Sequence, residues 1–330
     1  MGAGYQPPLL ACDPNFKVHS FPETQHLAVI FHDPKVAMIP NASPTLCVFT
    51  PTYNRAYILP KLYESLVNQT SADFYWSIVD DGSSDNTEEL VQSWISEGKV
   101  TIDYVKKENG GKPRAINDAV ERCQSPLFFV VDSDDHLVPH AVEHIISKWA
   151  LVDDPSIAGI VALRGRDEKT PMDTWMPRDG FDLKLWDLFE VYRFRGDTSL
   201  IHRTEILKQY PFKVAENEIF VPEASVYFAL DEKYDMRTDN TILTICNYLS
   251  DGLTQNFFAN VKRNPIGYWR HKRYCAIRSR RLINKFRETT LYIIGCKLAH
   301  QGNIIQMAPN KLIASICYLP AIVFRYTMFR

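Results

Sequence analysis

The sequence predicts an α/β fold: an open, mostly parallel sheet flanked by helices, followed by a basic helical tail. Three observations carry this expectation. Apolar, β-favouring runs begin near residues 45, 74, 100 and 127, roughly 28 residues apart, which is the size of a strand–helix–strand unit. The segments between them place apolar residues at helical spacing. Residues 262–330 carry 14 Lys+Arg and one acid, Glu288, whereas the rest of the chain carries 23 bases and 38 acids.

The elements follow in order. Residues 1–44 are proline-rich and aperiodic and read as an extended N-terminal arm with one strand over Leu27–Phe31. Thr45–Thr50 is the first regular strand, and Ala56–Gln69 a helix with Leu59, Leu62, Leu66 and Val67 on one face. Phe74–Val79 is a second strand. Asp85 and Glu88 have the spacing of a capping box, and the helix they would open buries Leu90, Val91, Trp94 and Ile95 and stops at Gly98. Val100–Val105 is a strand, and Pro113 opens the next helix. Leu127–Val131 is wholly apolar, as a central parallel strand requires, and Pro139–Ala150 is helical. Beyond residue 150 the pattern is weaker. Strands are expected at Ile157–Leu163, Thr198–His202 and Thr241–Tyr248, and helices at Asp182–Phe189 and Val221–Leu230. Residues 262–330 read as basic amphipathic helices broken near Gly302 and Pro309. The implied domains are the arm (1–44), an α/β domain (45–261) and a basic helical tail (262–330).

Composition narrows the class. The 330 residues are 45% hydrophobic and 23% charged, ordinary for a globular protein and unlike disordered, collagenous or coiled-coil chains. The longest apolar run, Leu312–Phe324, is 13 residues and contains Pro320, short of the ~20 a spanning helix needs. The seven cysteines show no zinc or redox spacing and read as free thiols in a reducing cytosol. The N-terminus lacks a basic start followed by an apolar core, so no signal peptide is expected. The basic tail points to an anionic partner.

Open α/β sheets bind ligands beyond the carboxyl ends of their strands. Here each of the first four ends carries a polar cluster: Pro51-Thr52-Tyr53-Asn54-Arg55, Asp80-Asp81-Gly82-Ser83-Ser84-Asp85, Glu108-Asn109-Gly110-Gly111-Lys112 and Asp132-Ser133-Asp134-Asp135. Asp132 and Asp134 point to one side of an extended backbone, and crowded carboxylates call for a cation. Oxygen donors in small number suit Mg²⁺ or Mn²⁺ with phosphates completing the shell. The bland reading of the same residues is a solvated acidic loop capping the helix at Pro139. Asn109 to Lys112 offers free backbone and a cation, suited to a diphosphate, or else a plain turn. Tyr53 is either a face for stacking a nucleobase or an exposed loop aromatic. No dinucleotide or P-loop motif is present.

These clusters, in this order and at this spacing, resemble the family 2 inverting glycosyltransferases with a GT-A fold, over roughly residues 45–260. The resemblance implies that Pro51, Thr52, Tyr53 and Asn54 form a nucleotide loop and that Asp81 meets the uracil edge. It places Asn109, Lys112, Ala115 and Asn117 along the nucleotide and its phosphates. It puts Asp132 near the ribose, Ser133 beside it, and Asp134 on the metal. In place of the Glu-Asp pair that holds the catalytic base in many members, this chain has Glu216-Asn217-Glu218-Ile219-Phe220-Val221-Pro222-Glu223. That stretch looks like the capsular and exopolysaccharide variant and makes Glu223 the expected base, with Asp197 and Glu218 as alternatives. Arg195-Gly196-Asp197 and Ser250-Asp251-Gly252-Leu253-Thr254 fit the same subgroup.

The implied activity is metal-dependent (Mn²⁺ or Mg²⁺) inverting transfer from a UDP-sugar to a hydroxyl of a cell-envelope glycan or lipid-linked oligosaccharide. The expected location is the inner face of the cell membrane, held peripherally by the tail on anionic lipid, with no nucleic-acid partner. The alternatives are a sugar nucleotidyltransferase, disfavoured by the glycine-free first loop, and a non-catalytic glycan- or nucleic-acid-binding module. Trp175, Trp186, Phe189 and Tyr192 read first as core residues and second as stacking surfaces for acceptor sugars, and His136 and His202 first as ordinary hydrogen-bonding residues.

Overall fold

The parallel half of the sheet forms where the apolar runs predict it. In the computed structural model, which describes residues 43–246 and 256–328, β1 (Leu46–Thr52) is followed by α1 (Leu59–Val67), β2 (Phe74–Asp80), α2 (Thr87–Glu97), β3 (Ile102–Lys106), α3 (Lys112–Arg122) and β4 (Leu127–Val130). Next come β5 (His136–Leu137), α4 (Ala141–Trp149), β6 (Ile157–Gly165), β7 (Asp182–Leu183), α5 (Leu185–Glu190), β8 (Thr198–Arg203), α6 (Thr204–Leu207), α7 (Ala224–Leu230) and β9 (Asp235–Ile245). Five helices follow: α8 (Phe257–Arg263), α9 (Pro265–Arg278), α10 (Leu282–Leu298), α11 (Ile304–Met307) and α12 (Lys311–Met328).

The strand order is β3-β2-β1-β4-β8-β6-β9-β5, with β7 also on β9. β3, β2, β1 and β4 are parallel; β8 joins β4 and β6 antiparallel, and β6 lies parallel to β9. Alternation along β1 feeds both faces of the sheet. Leu46 and Val48 join a core layer with Leu59, Leu62, Trp94 and Ile145, while Cys47 and Phe49 join another with Ile116, Leu188 and Tyr227. In the first layer Tyr63 stacks on Trp94 at 4.3 Å, and buried Trp76 donates its indole N–H to Thr50 Oγ1 at 2.9 Å.

Several expectations need correction. The capping box at Asp85 and Glu88 does not form. Asp85 accepts the N–H groups of Ala56 (3.1 Å) and Thr87 (3.1 Å), α2 starts after Asn86, and Glu88 pairs with Lys106 at 2.8 Å. Gly98 does end that helix, in the left-handed region at φ 66°. The expected helix from Asp182 begins only at Leu185, because Asp182 and Leu183 pair with β9. β9 starts six residues before the expected Thr241, its polar first half being held by pairing along β6. The strand at Leu27–Phe31, Cys12, and the Ser250–Thr254 motif lie outside the described residues. Among those described, Cys47, Cys123, Cys275, Cys296 and Cys317 are buried free thiols, and Cys246 is free and half-buried.

The C-terminal helices depart from the expected surface amphipathic pattern. α10 packs between α9 and α12, so Tyr292, Ile293, Ile294 and Cys296 are all buried. A helix with neighbours on two sides has no single polar face. Part of the tail's charge is spent internally: Lys272 and Arg287 both pair with buried Glu288, and Arg280 with Asp187. Two buried glutamates pin this layer to the sheet domain. Glu190 accepts the N–H groups of Arg280 (3.0 Å) and Arg281 (3.1 Å), and Glu218 accepts those of Ile266 (2.5 Å) and Gly267 (2.8 Å) at the N-terminus of α9. A carboxylate there satisfies donors the helix cannot use and meets the positive end of its dipole.

Candidate active site

The carboxyl ends of the parallel strands open onto one edge, and the loops after β1, β2 and β3 knit together there. Asn54 adopts the left-handed region at φ 53°, which Asn tolerates better than most residues, and its Oδ1 accepts the N–H groups of Ser84 (2.8 Å) and Asp85 (3.3 Å). Tyr53 is thrown outward, half exposed, while Pro51 stays half-buried in β1. Buried Asp81 accepts the N–H groups of Gly110 (2.9 Å) and Gly111 (2.7 Å) and a contact from Lys107 Nζ (3.1 Å). Asp81 therefore shapes the Gly-Gly turn, with Asn109 exposed at its tip.

Gly111 leaves no room for another residue. Its φ is +88°, and a Cβ there would stand 1.8 Å from the carbonyl oxygen of Ile219. Gly111→Ala is expected to cost at least ~1–2 kcal/mol from the backbone conformation alone and to push the 215–223 segment outward. Thermal unfolding should show a drop of several degrees, and UDP titration a weakened site. An unchanged Tm with unchanged UDP affinity would refute this role for Gly111.

Lys112 begins α3 and brings the two halves of the site together. Its Nζ is 2.5 Å from Asp132 Oδ1 and 2.6 Å from Glu223 Oε1. Asp132 also faces Arg164 of β6 at 3.7 Å, and Asp135 pairs with Arg164 at 3.1 Å. Burial works against the charge on Lys112, but Asp132 and Glu223 outweigh it and raise its pKa. Burial likewise opposes the Asp132 carboxylate, yet Lys112 and Arg164 hold it below the usual range. Asp134 has the opposite balance: burial first, then the neighbouring Asp132 charge, push it up. Asp135 rises to about 7, driven mainly by burial and also by Asp132 and Asp134, against the pull of Arg164.

Glu223 stands at the N-terminus of α7 and accepts a hydrogen bond from Tyr227 Oη at 3.3 Å. It walls a cavity of about 310 Å³ together with Asp132, Arg164, Asp197 and Tyr227. That volume is at the lower end of the range for small-ligand sites. Among the described residues no three of His, Cys, Asp and Glu converge to hold an ion unaided. The donor set nevertheless fits a hard cation: Asp134 is half-buried beside a second carboxylate, all donors are oxygen, and a diphosphate would supply the remaining ligands.

The structure thus brings Lys112, Asp132 and Glu223 into contact, with Asp134 and buried Ser133 on the same loop. Other expected residues fall elsewhere. Ala115 is fully buried on the core side of α3 and has no surface to offer a nucleotide. Asn117 clamps the backbone of Phe212 in both directions (3.0 and 2.8 Å). Glu218 has each carboxylate oxygen engaged by α9, which removes it as an alternative base. His202 is buried against Tyr227, 5.0 Å between ring centres, and stays neutral because burial lowers its pKa to about 3. Trp186 is core, as expected, but Trp175 and Tyr192 are exposed. Arg164 and Tyr227 escape the sequence reading. A lone arginine closing the apolar run from Ile157 is the signal that could have found the first, since a buried cation needs an acid.

Residues 47–210 match the family described as Glycosyl transferase family 2. The chain belongs to that family. This family 2 chain is 35% identical over 109 residues to hyaluronan synthase from Pasteurella multocida, a match covering 33% of the chain and 11% of that protein. It is 26% identical over 208 residues to the poly(ribitol-phosphate) beta-N-acetylglucosaminyltransferase TarP from Staphylococcus aureus, covering 61% of the chain and 62% of TarP. The chain therefore spans less than two thirds of either relative. Its fold is similar to that of S. aureus TarS residues 1–349 in complex with UDP-GlcNAc, with a TM-score of 0.51, 14% identity, and coverage of 87% of this chain and 82% of the other.

Proposed function

We propose that this family 2 glycosyltransferase moves a sugar from a UDP-sugar to a hydroxyl of a cell-envelope glycan or lipid-linked acceptor, inverting the anomeric carbon. The observation that carries the reading is Lys112 bridging Asp132 and Glu223, two carboxylates that line one cavity, directly after the Gly-Gly turn that Asp81 organises. In this reading Tyr53 and Asp81 flank the uracil, Asn109 and the Gly-Gly turn follow the phosphates, and Asp132 faces the ribose. Lys112 exchanges its carboxylate partners for the arriving diphosphate, which leaves Glu223 free to take the proton from the attacking hydroxyl. Asp134 would hold Mn²⁺ or Mg²⁺, which when bound neutralises charge building on the leaving diphosphate.

The deciding experiment is a panel of UDP-sugars with Mn²⁺ and with EDTA, read by thermal shift and by UDP release. One UDP-sugar should raise the Tm and release UDP in Mn²⁺ only, since a ligand of the folded state stabilises by mass action. A panel that neither binds nor reacts would overturn the reading.

We also propose that residues 262–330 rest on an anionic membrane surface. No described helix is long and apolar enough to cross a membrane. On α12, however, Leu312, Ile316, Leu319 and Val323 are exposed at helical spacing, while Ile313, Ala314, Cys317 and Ala321 are buried. An apolar stripe on a tail of 14 bases and one acid suits shallow insertion among anionic headgroups. The full chain should float with anionic liposomes at low salt, and Leu319→Glu with Val323→Glu should release it. Indifference of the unaltered chain to such liposomes would sink the idea.

A further inference from the structure

Trp175 is an aromatic that the fold holds out of the core. It is 52% exposed, yet Met172 and Met176 on either side of it are 8% and 4% exposed. The loop carrying it is pinned at both ends. Met172 N–H donates to the Arg164 carbonyl at 3.0 Å, and Met176 N–H to Asn240 Oδ1 at 2.8 Å. In the middle, Thr174 N–H and Oγ1 both donate to the Arg195 carbonyl (3.2 and 2.8 Å), and Arg195 N–H returns a bond to Thr174 Oγ1. Burying a large apolar side chain contributes ~1.5–3 kcal/mol, so leaving an indole on a well-anchored loop forgoes stability that folding would otherwise collect.

The loop's position gives that exposure a use. Asp173 lies against Gly196, whose added Cβ would come within 3.3 Å of the Asp173 Cβ, and the next residue, Asp197, walls the cavity that holds Glu223. Trp175 thus stands on the rim segment beside the cavity, with exposed Asp173 and Arg195 next to it. A pyranose ring has an apolar C–H face that lies flat on an indole and hydroxyls at its edge for charged neighbours. A linear polyol phosphate offers no such face.

We propose that Trp175 is the platform of an acceptor subsite that takes a pyranose ring of a glycan, outside the cavity that holds Glu223. This rests on the glycosyltransferase reading above and names the chemical class of its acceptor. The test uses the full chain with Mn²⁺ and its preferred UDP-sugar. The probes are short oligosaccharides of hyaluronan, chondroitin, chitin and cellulose, with poly(ribitol phosphate) as the ring-free counterpart.

At least one ring-containing probe should accelerate UDP release. Trp175→Ala should raise its KM about tenfold, as expected for loss of a stacked ring. Hydrolysis of donor alone should be unchanged, and Trp175→Tyr should restore most of the affinity. An unchanged KM in Trp175→Ala overturns the proposal. So does acceleration by poly(ribitol phosphate) alone, or by no probe while donor hydrolysis persists. Absence of donor hydrolysis counts against the glycosyltransferase reading instead. Quenching of tryptophan fluorescence by the oligosaccharides then decides, since it must disappear in Trp175→Phe and its presence there would refute the platform.

Discussion

Glu223→Gln is expected to lower sugar transfer at least ~100-fold, the ordinary contribution of a positioned general base. The substitution keeps the size of the side chain and leaves Lys112 its partner Asp132, so the wall of the cavity should hold its shape. UDP affinity measured by calorimetry should therefore survive while turnover collapses, which is the pattern of a group needed for the chemistry and not for donor binding. The contrast that would move the role elsewhere is an active Glu223→Gln beside a dead Asp197→Asn, because Asp197 lines the same cavity as Glu223.

Asp134→Ala should abolish transfer and reduce UDP affinity in Mn²⁺ to its value in EDTA. Asp134 sits half-buried beside the Asp132 charge, so the fold gains nothing from its ionised form, and Tm should stay within a few degrees of the unaltered chain. Transfer by Asp134→Ala at the normal rate in EDTA would show that the reaction does without the cation.

Much of this was readable before the structure. The strands β1 to β4 are apolar runs at a regular interval, and their polar ends stand out because buried strands carry so little else that is polar. The proposed donor half of the site rests on that contrast. The rest depends on partners far along the chain. Glu216, Glu218 and Glu223 are alike in sequence. Only the arrival of Ile266 and Gly267, 48 and 49 residues after Glu218, makes one of them a helix cap. Asn117 is placed on the nucleotide by the resemblance alone, and its partner, Phe212, lies 95 residues away where no local pattern reveals it. The Leu312–Phe324 run is apolar apart from Ser315, and packing on α10 is what divides it into a buried side and an exposed one. Trp175 was misjudged for a similar reason, since nothing in its neighbours shows that both flanking methionines turn inward while it turns out.

The grip of Glu218 on α9 also bears on how such a protein could be recombined. Residues 47–210 define its kinship, yet the proposed base lies at 223, and its loop is held by Asn264, Ile266 and Gly267. A chimera joined at residue 210 would inherit the loops for the donor and lose the aim of the carboxylate. Exchange between relatives that keeps the proposed base in place must put its crossover beyond Gly267, so the start of α9 travels with the carboxylate as one heritable unit.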